Sequence, residues 1–142
     1  MKLPILTLAV AAAATAIATG AAAQKPSPLP TPSPPSGAGL APGDCFRSSD
    51  MRNHTIGDRQ TLLVDVQGKG AYRVTMKGAC LAGATSSDPI VTRSPPGATL
   101  ICKPIDMDIS ISRAGFRSPC IVDSIVKMTP EEVAALPPKL KP

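Results

Sequence analysis

Three features of the sequence predict a mainly β domain, a small antiparallel barrel-like or curled meander of five to six strands with a short C-terminal helix, stapled by disulfides. Two runs carry an apolar side chain at every second position, Thr61–Cys80 on either side of its Gly-Lys-Gly turn and Ile105–Ser112. No long helical period separates them, which disfavours a parallel sheet. All four cysteines fall in one stretch, between Cys45 and Cys120.

The chain opens with Lys2, an alanine-rich apolar run over Leu3–Thr19, and Ala21-Ala22-Ala23 before Gln24. That pattern reads as a signal peptide over residues 1–23 with a cleavage site of small residues. No cysteine follows the apolar run closely, so no lipid anchor is expected and no stable membrane insertion after cleavage. Residues 24–43 are mostly Pro, Ser, Ala and Gly. Such composition buries no core and reads as a disordered linker or tail with polyproline character.

Residues 44–136 form the domain. Asp44–Arg59 holds the only histidine, His54, and Gly57-Asp58 reads as the turn into the first strand. In TLLVDVQGKGAYRVTM, Leu62, Val64 and Val66, then Tyr72, Val74 and Met76, fall on one face of a hairpin. Gly68 and Gly70 allow the reversal. An isolated hairpin is marginal in water, so further strands must pair with it. Ile90–Arg93 and Thr99–Cys102 read as short strands, with SPPG a turn between them. Ile105–Ser112 places Ile105, Met107, Ile109 and Ile111 on the core face and Asp106 and Asp108 on the wet face. RAGFRSP reads as a turn, and Cys120–Met128 as the last strand. Thr129, Pro130 and Glu132 form a capping-box helix start. The helix ends at Leu136 before Pro137-Pro138, and 137–142 is expected to be a disordered tail.

An even cysteine count in an exported chain reads as two disulfides. Four cysteines allow three pairings. The nested one is favoured, Cys80 with Cys102 across a Gly/Ser/Pro-rich excursion and Cys45 with Cys120 tying the start of the domain to its last strand. No CxxC exists for a zinc ribbon or redox site. No cofactor is expected.

Several function classes lack their residues. Between Asp44 and Leu136 there are 11 Lys and Arg against 10 Asp and Glu. A nearly neutral domain with few aromatics does not suit nucleic acid. There is no GxSxG, no HExxH and no Gly-rich phosphate loop. A catalytic pair would need His54 and a distant aspartate. A hard-cation site would need Asp106, Asp108 and Asp123 plus further oxygens. Met51, Met76, Met107 and Met128 could serve soft copper, but their spacing fits packing better.

Five pieces in order, CFRSSD at Cys45, DRQTLLV at Asp58, AYRVTMKGAC at Ala71, LIC at Leu100 and CIVDSI at Cys120, resemble a family of small exported bacterial four-cysteine domains of unknown function. The resemblance implies a periplasmic or secreted location and a shared cysteine framework. The residues then point to a non-catalytic binding or structural module that meets an unknown protein or envelope component. The alternative is a small envelope-associated enzyme or metal-handling protein.

Overall fold

A computed structural model of the protein describes residues 34–93 and 100–142. The signal-peptide reading of 1–23, the proline-rich residues 24–33 and the SPPG turn lie outside the described residues. Among these residues seven strands form two antiparallel sheets. They are β1 (Met51–Ile56), β2 (Thr61–Val66), β3 (Gly70–Met76), β4 (Ile90–Arg93), β5 (Asp108–Arg113), β6 (Phe116–Cys120) and β7 (Val122–Lys127). One sheet runs β1-β2-β3-β7 and the other β4-β5-β6. A short helix, α1 (Pro130–Ala135), follows. The antiparallel, mainly β reading holds, with two sheets in place of a closed barrel and two more strands than the lower expected count.

The central hairpin forms as its alternation dictates. Val66 pairs with Gly70 across the turn, where Gly68 and Gly70 take φ of 74° and 89°. Leu62, Val64, Val66, Tyr72, Val74 and Met76 are buried in one core with Ile109 and Ile111 of the second sheet. Phe46, Leu81, Ile101 and Met107 fill that core from the connections. Leu63 breaks the alternation and is also buried, because the opposite face of β2 and β3 is covered. There Leu63, Ala71 and Met128 pack with Val133, Leu136 and Leu140. The helix start is as read: Thr129 Oγ1 accepts from Glu132 N at 3.2 Å, and Thr129 N donates to Glu132 Oε2 at 2.8 Å.

The two unexpected strands have weak patterns. MRNHTI forms β1 as an edge strand in which only Thr55 is fully buried, so it carries little apolar period. FRSPC, read as a turn, is β6; the reversal is only Ala114-Gly115, both at positive φ (47° and 83°), the geometry of a tight primed hairpin turn. The last strand starts at Val122, not at Cys120.

Ile105 is a further correction. It sits in a 3-10 turn, Pro104–Asp106, and is 81% exposed, while the strand begins at Asp108. Both flanking segments also depart from the expected disorder. Gly37 N donates to Asp123 O, Ile125 N to Ala38 O and Leu40 N to Cys102 O, so residues 37–40 lie along the outer edge of β7. At the other end Pro138–Leu140 is a 3-10 turn, and Thr55 Oγ1 donates to Lys141 O.

The disulfides pair differently from the nested expectation: Cys45 with Cys102 and Cys80 with Cys120. Strand neighbours decide it. Phe46 and Ile101 exchange backbone hydrogen bonds, which sets Cys45 and Cys102 side by side with Cα atoms 4.6 Å apart. Strand β7 pairs with β3, so Ile121 O accepts from Lys77 N. That contact draws Cys120 to Cys80, with Cα atoms 5.6 Å apart.

Candidate functional site

Small domains rarely spare large aliphatic side chains from the core, and this one has few aromatics to replace them. Yet Ile105 and Ile121 are 81% and 67% exposed, and both line one groove of about 470 Å³. The volume falls in the range of natural binding clefts. Lys77, Asp108, Asp123 and Ser36 complete its polar margin.

Each isoleucine is held outward by its backbone. Pro104 has no N–H for a ladder and suits the first position of a helical turn. Asp106 completes that turn, its Oδ2 accepting from Cys102 N at 3.1 Å and Lys103 N at 2.8 Å. Ile105 is thereby fixed three residues from the Cys45–Cys102 bridge. Ile121 joins β6 of one sheet to β7 of the other, directly after the Cys80–Cys120 bridge. A ligand meeting these two side chains would meet rigid anchors, which lowers the entropy lost on binding.

A bulge shapes the rim. Thr75 pairs with Ser124, but Met76 pairs with Val122, leaving Asp123 as the extra residue. Bulges of this kind re-aim a side chain. Asp123 turns to the segment at residues 36–37, where its carboxylate accepts from Ser36 Oγ and its carbonyl from Gly37 N. The groove sets an apolar surface beside Lys77 of one charge and Asp108 and Asp123 of the other.

The other candidate residues are dispersed. His54 Nε2, as an N–H, donates to the backbone carbonyl of Asp88 at 3.3 Å. The Asp88 carboxylate is engaged instead by Thr85 N and Thr85 Oγ1. No acid–base pair results. Asp106 serves its own turn, apart from Asp108 and Asp123 on the groove. Among the described residues no group of three or more His, Cys, Asp or Glu is placed to hold a metal ion. Met76, Met107 and Met128 are buried and Met51 packs against the core, as the packing reading expects.

Among the described residues four ionisable groups outside the groove are perturbed; for one of them, Glu131, a hydrogen bond from its own backbone N–H, helped by the Thr129 side chain, lowers the carboxyl below its usual 4.5. Burial raises the Tyr72 phenol above its usual 10.0, with Asp44 adding to the rise and Lys127 opposing it. Lys127 is itself raised, chiefly by its hydrogen bond to Asp44 at 2.7 Å. For Asp58, burial opposes ionisation, but hydrogen bonds from Gln60 N, Thr61 Oγ1 and Thr61 N outweigh it and hold the carboxyl below its usual 3.8.

Sequence reasoning placed Ile105 in the core and Ile121 inside a strand. Two local signals mark them as outward. In CKPID, Pro104 bars a ladder position just before Ile105. In CIV three apolar residues run together at a strand end, so alternation cannot bury them all.

The protein is therefore a two-sheet antiparallel β domain, cross-linked twice, with an apolar groove where the sheets meet. The chain belongs to the family of unknown function DUF6491, whose model matches residues 1–141. No curated protein and no solved structure matches it. Among the described residues no helix is long and apolar enough to cross a membrane.

Proposed function

We propose that the protein is an exported, non-catalytic binding module whose Ile105–Ile121 groove seats an apolar side chain of a protein partner. The observation that carries this reading is the joint exposure of two rigidly held isoleucines on one groove. An apolar centre that loses its water on contact, inside a polar rim, is the common anatomy of a protein interface. Lys77 on one strand end and Asp108 and Asp123 opposite it supply that rim. Export to a periplasmic or extracellular space is supported by the leader-like residues 1–23 and by the two disulfides, which persist in oxidising compartments. The alternative of a small enzyme or metal-handling protein draws no support from His54, which meets a carbonyl, or from the methionines, which pack.

The test uses a photo-crosslinking residue at position 121, and a control at exposed Asn53, in cells that express the full chain. A discrete protein adduct from 121, absent from 53 and lost when Ile105→Asp is added, is the expected result. Equal adducts from both positions, or none from 121, would overturn the reading. Intact mass of the recovered protein beginning at Gln24 would establish export with cleavage, and a mass beginning at Met1 would refute it.

A further inference from the structure

At the far end of β6 from the groove stands another exposed apolar side chain. Phe116 is 79% exposed at the tip of the β5–β6 hairpin. The reversal beneath it is only Ala114-Gly115. The register pairs Arg113 with Phe116 and Ser112 with Arg117. Side chains alternate across a strand, so Phe116 and Arg113 leave one face of the hairpin and Arg117 the other. The ring thus projects from a two-residue turn, with one guanidinium on its own face of the hairpin and one on the other.

The charge around it is one-sided. Residues 109–120, ISISRAGFRSPC, contain no Asp or Glu. Arg113 Nη1 donates to the carbonyl of Ala82 at 3.3 Å, and neither guanidinium forms an ion pair among the described residues. Ser112 N donates to the carbonyl of Pro89, the residue after Asp88. Asp88 Oδ2 is taken up by Thr85.

An aromatic ring leading two flanking guanidinium groups matches the layering of a lipid surface. The ring enters the acyl boundary while the cations pair with phosphates. We propose that the tip at residues 113–117 docks the domain peripherally on an anionic lipid surface. Phe116 and Cys120 are the two ends of β6, about 13 Å apart at ordinary strand rise. A domain resting on its hairpin tip would hold the Ile105–Ile121 groove away from the lipid, so both surfaces are usable at once. This inference does not rest on the groove having a partner.

The polypeptide 24–142 suits the test, because residues Pro32–Pro142 form a compact unit containing the whole core and both disulfides. The chain has no Trp, so Phe116→Trp places a single indole at the tip. Vesicles of three parts phosphatidylcholine to one part phosphatidylglycerol should shift its emission to the blue, and pure phosphatidylcholine vesicles should not. In co-sedimentation of the otherwise native polypeptide, Phe116→Ser should weaken partition about tenfold or more. Arg117→Gln should weaken it about fivefold, and added salt should reduce it further. Arg113→Gln with Arg117→Gln should lower it more than Arg117→Gln alone, and the Arg117 side chain has no hydrogen-bonded partner among the described residues whose loss would disturb folding. Failure to bind the anionic vesicles, equal binding to neutral ones, or partition indifferent to both Phe116→Ser and Arg117→Gln would each overturn the proposal. So would a crosslink from position 116 to a protein without vesicle binding.

Discussion

Phe46 and Tyr72 meet in the centre of the core, their rings 4.7 Å apart at centroid and tilted by 51°. Both are fully buried. Two of the chain's three aromatic side chains are thus spent on one contact. It joins the segment beside the Cys45–Cys102 bridge to the middle of β3, and the phenol continues the link by donating to Asp44 O at 2.9 Å. Phe46 is also the residue that exchanges backbone hydrogen bonds with Ile101, so one ring anchors both the bridge and the sheet.

Tyr72→Phe keeps the ring contact and strands the Asp44 carbonyl. It should lower unfolding free energy by about 1 kcal/mol in urea titration, the net value of one hydrogen bond. Tyr72 is the only tyrosine, so its phenolate absorbance can be followed alone. Its midpoint in the folded protein should lie above 10.0. A folded value raised above the unfolded one contributes stability that is complete below the unfolded value and lost as pH rises through the folded one. A midpoint at or below 10.0 would contradict the burial of this phenol.

Ser124 supplies the opposite case. It is fully buried opposite Thr75, and its hydroxyl has no hydrogen-bond partner among the described residues. A buried hydroxyl left unpaired costs about 1–3 kcal/mol. Ser124→Ala should therefore raise stability by about 1 kcal/mol, seen as a higher urea midpoint with an unchanged slope. A destabilised Ser124→Ala variant would mean that the hydroxyl is paired in solution.

The turn between β1 and β2 carries the acid-sensitive element. Asp58 Oδ1 accepts from Gln60 N at 2.7 Å and Thr61 N at 2.8 Å. Its folded pKa lies below the unfolded value of 3.8, so its contribution is complete above that value and lost as pH falls through the folded one. Asp58→Ala should cost about 1 kcal/mol at neutral pH. Comparing the two proteins by thermal melting, the gap should close as pH falls from 3.8 through the lower folded value. A gap constant across the acid range would show that the charge plays no part.

The readable part of this fold was whatever buries one face only. Leu62, Val64 and Val66 announce β2, and Thr129 with Glu132 announces the helix, because each pattern answers to a local rule. Strand β1 stayed hidden because an edge strand needs only backbone hydrogen bonds, and MRNHTI buries little but Thr55. The cysteine partners were not legible, since they follow from β7 choosing β3 as its neighbour. That choice is made by packing across the core. The groove was lost for a related reason: Ile105 continues the period of Met107, Ile109 and Ile111, and only the backbone of Pro104 interrupts it. His54 meets the backbone carbonyl of Asp88, and Asp106 serves its own turn, so neither side chain reaches Asp108 or Asp123 on the groove.

The two bridges overlap along the chain, one spanning Cys45 to Cys102 and the other Cys80 to Cys120. Every peptide bond between Cys45 and Cys120 is therefore enclosed by at least one covalent loop, and those between Cys80 and Cys102 by both. A protease that cuts once within that span leaves a single molecule of nearly unchanged mass, with its sheets still tied together. Only reduction releases the pieces. Wherever a protease reaches it, a nick would be a scar rather than a loss.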